Sequence, residues 1–319
     1  MRKVSVSMVT GHVPRGTLVI FLLLGLLAAV QPFIPAGLHD PEAIGPYLKG
    51  IFPDQTPGNG SGNWEIVEAY PNLTFADPMS MRELPDRSGF YVSGKQGFVW
   101  LINKDSTTNV KTTVLDISSR VHTDGDAGLI NMILHPDFGK AGSPNRGYAY
   151  IIYRYHPDGD IIGGCIEDAY TRLSRFTKPD GQQNFDPNSE LVLVQQFDPH
   201  CWHTGGTMFF DNDGFFYFTF GDIGGANDPY NSSQQISTTL FGGLHRVDLE
   251  MNAARSHPIR RQPQDPPSNT SEISYTQGYY IPDDNPWVNP DGSVMEEFFA
   301  LGLRSPHRGD YDATTGDIW

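Results

Sequence analysis

The sequence predicts an all-β fold built from short strands, and two observations carry that prediction. Short apolar or alternating segments dominate the globular part of the 319-residue chain, among them GYAYIIYRY at 147–155 and FFYFTF at 215–220. They are bounded by Gly, Pro and Asp turn residues, and few segments show the period of a helix. The second observation is a repeated sequence motif (called the repeated phrase below), in which a polar turn and a glycine precede an aromatic strand.

Three copies of this phrase begin at Gly89, Gly147 and Gly214, about 60 residues apart, and a fourth begins at Gly316. Repeats with several strands each are typical of propeller blades, and a long period indicates loops inserted in the blades. A β-sandwich gives frequent turns but no reason for this longer recurrence. We therefore expect a β-propeller, with about three to four antiparallel four-stranded blades from Trp64 onward.

The N-terminal residues have the pattern of a secretory signal. Arg2, Lys3 and Arg15 precede the apolar run TLVIFLLLGLLAAV at 17–30, which gives the charged and apolar regions of a signal peptide. The run is shorter than the roughly 20 apolar residues of a membrane span, so a retained signal anchor is the weaker alternative. We predict a signal peptide at 1–38, with a separate helix there, and a secreted or periplasmic protein.

The next segment predicts a linker. Residues 39–63 are rich in Pro and end in PGNGSGN, so we expect them to be extended, with the propeller domain at 64–319. The chain ends at GDIW, inside the fourth copy of the repeated phrase. Because an open propeller leaves long unpaired strand edges, we expect this sequence to be the N-terminal portion of a longer propeller protein.

The charge of the chain argues against nucleic acid as a partner. The formal net charge is −15. Removing residues 1–38 deletes three basic residues and no acidic ones, which leaves 19 Lys and Arg against 37 Asp and Glu, a net charge of −18. Such a chain repels phosphate backbones, and the sequence contains no basic cluster that overrides the repulsion.

The two cysteines, Cys165 and Cys201, allow two interpretations. Their spacing alone fits either one disulfide or two unrelated buried thiols. An exported chain with a single pair favours the bond. We therefore predict a Cys165–Cys201 disulfide that ties GGCIED to the segment just before His203.

Four segments, in this order, resemble one known family. They are DGDAGLINMILHPDF (124–138), HTGGTMFFDNDGFFYFTFGDIGG (203–225), YIPDDNPW (280–287) and EFFALGLRSPHRGDYDATTGDIW (297–319). Together they resemble the soluble quinoprotein glucose/sorbosone dehydrogenases, a family that includes aldose sugar dehydrogenases and Hedgehog-interacting-protein-like ectodomains. The resemblance runs from about Trp64 to the last residue. It implies a six-bladed β-propeller whose enzymes bind pyrroloquinoline quinone (PQQ), held partly by Ca²⁺, and oxidise the anomeric hydroxyl of aldoses.

The resemblance also implies roles for two catalytic residues. The general base of the family falls on His203, and the carboxylate that orients it falls on Asp222. A neutral imidazole suits proton abstraction at physiological pH, and a carboxylate on one ring nitrogen fixes its tautomer. The hairpin that turns at DNDG (211–214) can bring the two residues together. Gly205 and Gly206 are expected to leave room for a flat cofactor.

Three further positions carry over from the family. Arg304 matches the arginine that contacts the quinone, and we expect it to reach the site from a neighbouring blade. A guanidinium can donate parallel hydrogen bonds to carboxylate or quinone oxygens. Asp126 falls where the family has a Gln or Glu near the substrate. Trp202 replaces a polar residue before the base, and its indole could stack on a sugar or on a ring.

The sequence also departs from the family. Ser305 stands where the family usually has Asn, and Gly243 in FGGLHRVDL stands where it has Lys. The family's Ca²⁺ ligands correspond to positions beyond residue 319, so no metal ligand is assigned within this chain.

Two functions follow as hypotheses. The first is PQQ-dependent oxidation of aldoses, with hydride passed to the quinone and electrons passed to an external acceptor such as a cytochrome or a quinone. The alternative is a non-catalytic extracellular propeller of the Hedgehog-interacting-protein-like type. The His203/Asp222 pair favours the enzyme, because a binding surface needs no base with an orienting carboxylate. The missing Lys and Asn favour the binding protein.

Overall fold

The computed structural model describes residues 66–158, 165, 169–264 and 275–319. The predicted signal peptide and linker at 1–63 lie outside the described residues. Strands dominate the described part, which contains a single 3-10 turn, Ser118–Arg120, and no α-helix. Across the same residues, no helix has the length and apolar character needed to cross a membrane.

Three antiparallel sheets follow one another along the chain. The first sheet has the order β1 (Pro78–Glu83), β2 (Gly89–Gly94), β3 (Phe98–Asn103) and β4 (Thr112–Asp116). The second has the order β5 (Leu129–Leu134), β6 (Tyr148–Tyr155), β7 (Ala169–Thr177) and β8 (Asp186–Asp198), with β13 (Tyr275–Thr276) added at its edge. The third has the order β9 (Met208–Phe210), β10 (Phe216–Phe220), β11 (Gly243–Val247) and β15 (Phe298–Leu301).

The three sheets are arranged as propeller blades. The first strand of each sheet lies nearest the next sheet's first strand, since β1 contacts β5 and β5 contacts β9. The repeated glycines lie at or just before the second strand of each blade, β2, β6 and β10. Gly316 precedes an isolated bridge between Tyr311 and Ile318. The all-β propeller prediction is confirmed, with three blades in the described residues.

The middle blade is buried on both faces, which explains its nearly continuous apolar sequence. Successive side chains of a strand point to opposite faces. In β6, Ala149, Ile151 and Tyr153 therefore enter the core shared with the first blade. Tyr150 and Ile152 enter the core shared with the third blade.

The third blade uses the same alternation with aromatic residues. Phe216, Phe218 and Phe220 of β10 are fully buried against the second blade. Burial of each such side chain stabilises the fold by about 1.5–3 kcal/mol. Tyr217 points to the opposite face and stacks on Phe209, with ring centroids 4.8 Å apart. The strand that carries the site is therefore anchored on both faces.

A long excursion separates β11 from β15. It contains a two-stranded ribbon of β12 (Ser256–Pro258) and β14 (Tyr280–Pro282), and between them β13, which pairs with β8 of the second blade. The chain then returns to place β15 against β11. The excursion therefore links the second and third blades by hydrogen bonds.

Candidate active site

The β9–β10 hairpin brings His203 and Asp222 together. His203 precedes β9 and Asp222 follows β10, and these strands pair antiparallel, with Phe210 opposite Phe216. Their outer ends therefore lie side by side. His203 Nδ1 lies 2.6 Å from Asp222 Oδ1, and the side chains are 13% and 5% exposed.

Arg304 lies on the other side of the same imidazole. Its Nη1 is 2.8 Å from His203 Nε2, and its Nη2 is 3.3 Å from the carbonyl oxygen of Gly225. The expectation that Arg304 comes from a neighbouring blade is wrong. It lies three residues after β15, the outer strand of the blade that holds β9 and β10. The connection leaving that strand crosses the end of its own blade, where the Arg304 carbonyl accepts from the N–H of Asp222.

The chemistry of the partners assigns the tautomer of His203. A guanidinium has donors and no acceptor, so Nε2 must accept from Arg304 with its lone pair. The ring proton then lies on Nδ1 and is donated to Asp222. The imidazole is therefore neutral, with its carboxylate partner on one side and a cation on the other.

Asp222 is itself held in place by its surroundings. Its Oδ1 also accepts from the backbone N–H of Gly224 at 3.0 Å. Its own N–H donates to the carbonyl of Arg304 at 2.9 Å, and its carbonyl accepts from the Ser232 hydroxyl at 2.9 Å. A carboxylate fixed in this way can hold the ring orientation of its histidine.

Gly221 allows three segments of the chain to meet, and the sequence did not single it out. A Cβ at this position would lie 1.9 Å from the carbonyl oxygen of His203 and 2.9 Å from that of Arg304. No other residue type fits such a contact with backbone. The only sequence signal is a glycine between a buried strand and the aspartate.

The backbone of the site is strained at two residues. His203 has φ of +58° and Ile223 has φ of +71°. Positive φ is uncommon for any residue with a Cβ, and a β-branched residue there is a genuine outlier. Such conformations persist where the surrounding structure holds them, and they concentrate at functional sites.

The two glycines predicted to make room for a cofactor have another role in the structure. A Cβ on Gly205 would lie 2.6 Å from the Thr219 carbonyl oxygen, and one on Gly206 would lie 2.3 Å from Ile130 Cγ2. The space is therefore filled by the protein's own packing. Gly205 and Gly206 let the segment after His203 lie against β10 and β5.

Asp126 and Trp202 flank His203 on the protein surface. Asp126 is exposed, and its Oδ2 accepts from the backbone N–H of His203 at 3.0 Å. Trp202 is 44% exposed. Its Cβ would lie 2.8 Å from a Cβ on Gly224, which places the indole beside the glycine loop that follows Asp222.

His307 is a second histidine near the site that the sequence did not single out. Its Nδ1 lies 3.2 Å from the carbonyl oxygen of Gly205. Burial, together with the nearby Arg308, lowers the pKa of His307. The ring is therefore neutral at physiological pH.

A disulfide lies directly before the site. Cys165 and Cys201 are bonded, with Cα atoms 5.2 Å apart, which is within the usual range for a disulfide. In the described part of the chain, one group of potential metal ligands comes together, Cys165, His200 and Cys201. Its sulfurs are bonded to each other, and sulfur and nitrogen are not the oxygen ligands that Ca²⁺ requires.

Comparison with known proteins assigns the family. A family model described as Glucose / Sorbosone dehydrogenase matches residues 75–279. The chain therefore belongs to the glucose/sorbosone dehydrogenase family. The HIPL1 protein of Arabidopsis thaliana is 25% identical, over 63% of this chain and 30% of that protein. The Hedgehog-interacting protein of Homo sapiens is 24% identical, over 72% of this chain and 29% of that protein.

Solved structures show the same fold. The soluble aldose sugar dehydrogenase of Escherichia coli, in its apo-form, matches with a TM-score of 0.51 and 20% identity, over 76% of this chain and 56% of that chain. A glucose dehydrogenase matches with a TM-score of 0.52 and 20% identity, over 76% and 61%. The chain spans about a third of the length of the curated relatives it matches.

Proposed function

We propose that the protein containing this chain oxidises the anomeric hydroxyl of aldoses with PQQ, and that His203 is the general base. One observation carries the proposal: the hydrogen-bonded series Asp222–His203–Arg304. It joins a neutral imidazole, a buried carboxylate that fixes its tautomer, and a guanidinium beside the proton-accepting nitrogen. Membership of the glucose/sorbosone dehydrogenase family supports the substrate class.

His203 would take the hydroxyl proton at Nε2. This is the nitrogen that carries the lone pair, and Asp222 stabilises the positive charge that develops on the ring. Arg304 now donates to the same nitrogen. Its side chain must therefore turn away before a sugar hydroxyl can approach, and an anionic group provides the attraction for that movement.

The donor set fits an anionic, oxygen-rich cofactor. Arg304 donates only to an imidazole nitrogen and a carbonyl oxygen, so its charge has no carboxylate partner within the described residues. A guanidinium can form two parallel hydrogen bonds with a carboxylate or with quinone oxygens. When bound, PQQ would accept the hydride from the sugar carbon. The Ca²⁺ of the family is expected to be held by residues beyond 319.

The remaining parts of the proposal concern partners and location. Trp202 exposes an indole beside His203 and is proposed to stack on the sugar ring. Asp126 is proposed to face the substrate with its second oxygen. An external electron acceptor, such as a cytochrome or a quinone, would reoxidise the cofactor. The predicted signal peptide supports a secreted or periplasmic location, and the acidic charge opposes nucleic acid as a partner.

A second candidate is a non-catalytic binding propeller. The similarity to the Hedgehog-interacting protein supports it, and so does one position in the structure. Gly243 is buried in β11, and a Cβ there would lie 2.5 Å from the ring of Phe298. In this chain the ring of Phe298 and the carbonyl of Ala300 therefore occupy the space that the family's lysine would need.

The test is sugar oxidation by the full-length protein loaded with PQQ and Ca²⁺. We expect His203→Ala to lower the rate of aldose oxidation by about 10²–10⁴-fold, the usual range for loss of a general base. Asp222→Asn should lower turnover through a misoriented ring, with little change in fold. His257 provides a matched control, because its imidazole also contacts carboxylates, Asp283 and Glu296, but lies in the β12–β14 ribbon.

Two results would decide against parts of the proposal. A holoprotein whose sugar oxidation is unchanged by His203→Ala would remove His203 as the base. A full-length protein that binds no quinone would favour the binding propeller over the enzyme.

A further inference from the structure

We infer that Asp126 is a positioning residue for His203, because its carboxylate holds the backbone conformation that aims the imidazole at Asp222. The inference rests on the proposed function, since it concerns the proposed base. It differs from a role in binding the sugar, which the family resemblance implies for this position.

His203 needs such support because its backbone is in the left-handed region, with φ of +58°. Few residues with a Cβ adopt this conformation unless neighbouring groups hold it. The side chain direction depends on it, since a return to an extended backbone would rotate the ring away from Asp222. The geometry of the base therefore depends on what restrains residue 203.

Contacts restrain the backbone of His203 on both sides, at its N–H and at its carbonyl. Asp126 Oδ2 accepts from the N–H of His203 at 3.0 Å. On the other side, the carbonyl of His203 packs against Gly221, where a Cβ would lie 1.9 Å away. Gly221 only leaves space for that carbonyl, whereas Asp126 provides the directional bond to an ionised acceptor.

Asp126 can act in this way because its own turn is fixed. Lys95 Nζ donates to the carbonyl of Gly125 at 2.8 Å. The N–H of Asp126 donates to the carbonyl of Cys201 at 2.9 Å, and a Cβ on Gly125 would lie 2.6 Å from Cys201 Sγ. The turn is thus tied to the disulfide-bonded residue just before Trp202 and His203.

The test combines amide hydrogen exchange at His203 with steady-state kinetics, both on the full-length protein. Exchange is measured without cofactor or sugar, by mass spectrometry with residue-level fragmentation. Asp126→Ala should raise the exchange rate of the His203 amide at least about tenfold, because the amide loses the acceptor that it has among the described residues and the local structure opens. Asp126→Asn keeps an acceptor oxygen, so the His203 amide should exchange slowly in this variant, as in the wild type.

A matched control is Asp86→Ala. Asp86 is an exposed carboxylate that likewise accepts from a backbone N–H, that of Ser88 at 2.9 Å, but it lies in the turn before β2. This variant should leave His203 exchange unchanged. If Asp126→Ala does not fold, Asp126→Glu displaces the same carboxylate by one methylene and should also speed exchange.

In the kinetic arm, Asp126→Ala should lower kcat by about tenfold because the base is misplaced, in addition to any rise in KM from losing the second carboxylate oxygen. Unchanged exchange at His203 in Asp126→Ala overturns the inference. So does a raised KM with unchanged kcat, which would make Asp126 a sugar ligand only. Faster exchange in a protein that oxidises no aldose would support the positioning role and refute the proposed function.

Discussion

The ionisation of Glu297 is expected to lower the free energy of unfolding as pH rises, and replacing Glu297 with glutamine should abolish that decrease. Glu297 precedes β15 and is 1% exposed. Its Oε1 accepts from the hydroxyl of Tyr279 at 2.9 Å. Burial, with the neighbouring Glu296 carboxylate, raises the pKa of Glu297 to about 7, although the Tyr279 hydrogen bond opposes the rise.

The direction of the effect follows from proton binding. Between pH 4.5 and about 7, the unfolded chain has released this proton and the folded chain keeps it. The stabilisation is therefore complete below pH 4.5 and is lost as pH rises towards 7. Each pKa unit corresponds to 1.36 kcal/mol, so a rise from 4.5 to about 7 corresponds to roughly 3 kcal/mol.

The assay is urea unfolding of the wild type and Glu297→Gln at intervals from pH 4.5 to pH 8. Glutamine keeps the acceptor for Tyr279 and cannot ionise. The variant should therefore gain about 3 kcal/mol relative to the wild type across this range. The contributions of other titrating groups are the same in both proteins and cancel in the difference. One of them is His245: burial lowers its pKa to about 3, so the protein loses stability as pH falls below 6.5.

Glu68→Gln provides the control, since it makes the same replacement at an exposed position. A difference between Glu297→Gln and the wild type that stays constant from pH 4.5 to pH 8 would refute the reasoning. It would mean that Glu297 ionises in the folded protein as it does in the unfolded chain.

Two further predictions concern the site and its support. Gly221→Ala should destabilise the fold by about 1–3 kcal/mol and lengthen the His203–Asp222 contact, because the new Cβ meets backbone. Thermal unfolding measures the first effect and histidine NMR shifts the second, and values identical to the wild type would contradict this. Paired Cys165→Ser and Cys201→Ser replacements should lower the free energy of unfolding by about 3–4 kcal/mol, the entropic value for a loop of this length, measured by urea unfolding against the wild type. A double variant as stable as the wild type would show that the bond contributes nothing.

Much of the fold could be predicted because its strands carry local signals. The segments 147–155 and 215–220 correspond to β6 and β10, and the repeated glycine marks the second strand of each blade. The glycine has a common reason in the first two blades. A Cβ on Gly89 would lie 2.1 Å from the Ile102 carbonyl oxygen, and one on Gly147 would lie 2.4 Å from that of Lys178.

The excursion between β11 and β15 could not be predicted in the same way. β13 is only two residues long, and its partner β8 lies in another blade. No local pattern indicates such a pairing, because its stability comes from the edge strand it meets. The period of the repeat gives no information inside this segment.

The site was predictable in its residue types and not in its backbone. The offset between His203 and Asp222 follows from the family motif, and the hairpin explains why they meet. The positive φ of His203, the close approach at Gly221 and the donation from Arg304 depend on three segments that meet only in the folded chain. Gly205 is a further example: a glycine is required there because the backbone packs against β10, and that contact exists only in the folded chain.

The placement of Arg304 after β15 also sets the order in which the site assembles during folding. His203 and Asp222 are 19 residues apart, whereas Arg304 is 101 residues from His203. The logarithmic cost of closing a loop makes the longer closure about 1.5 kcal/mol less favourable. The imidazole and its carboxylate can pair when the β9–β10 hairpin forms, on the microsecond scale of hairpins. Arg304 arrives only after the chain has passed through β13 and docked β15, so the last contact of the site forms in the slow, non-local phase of folding.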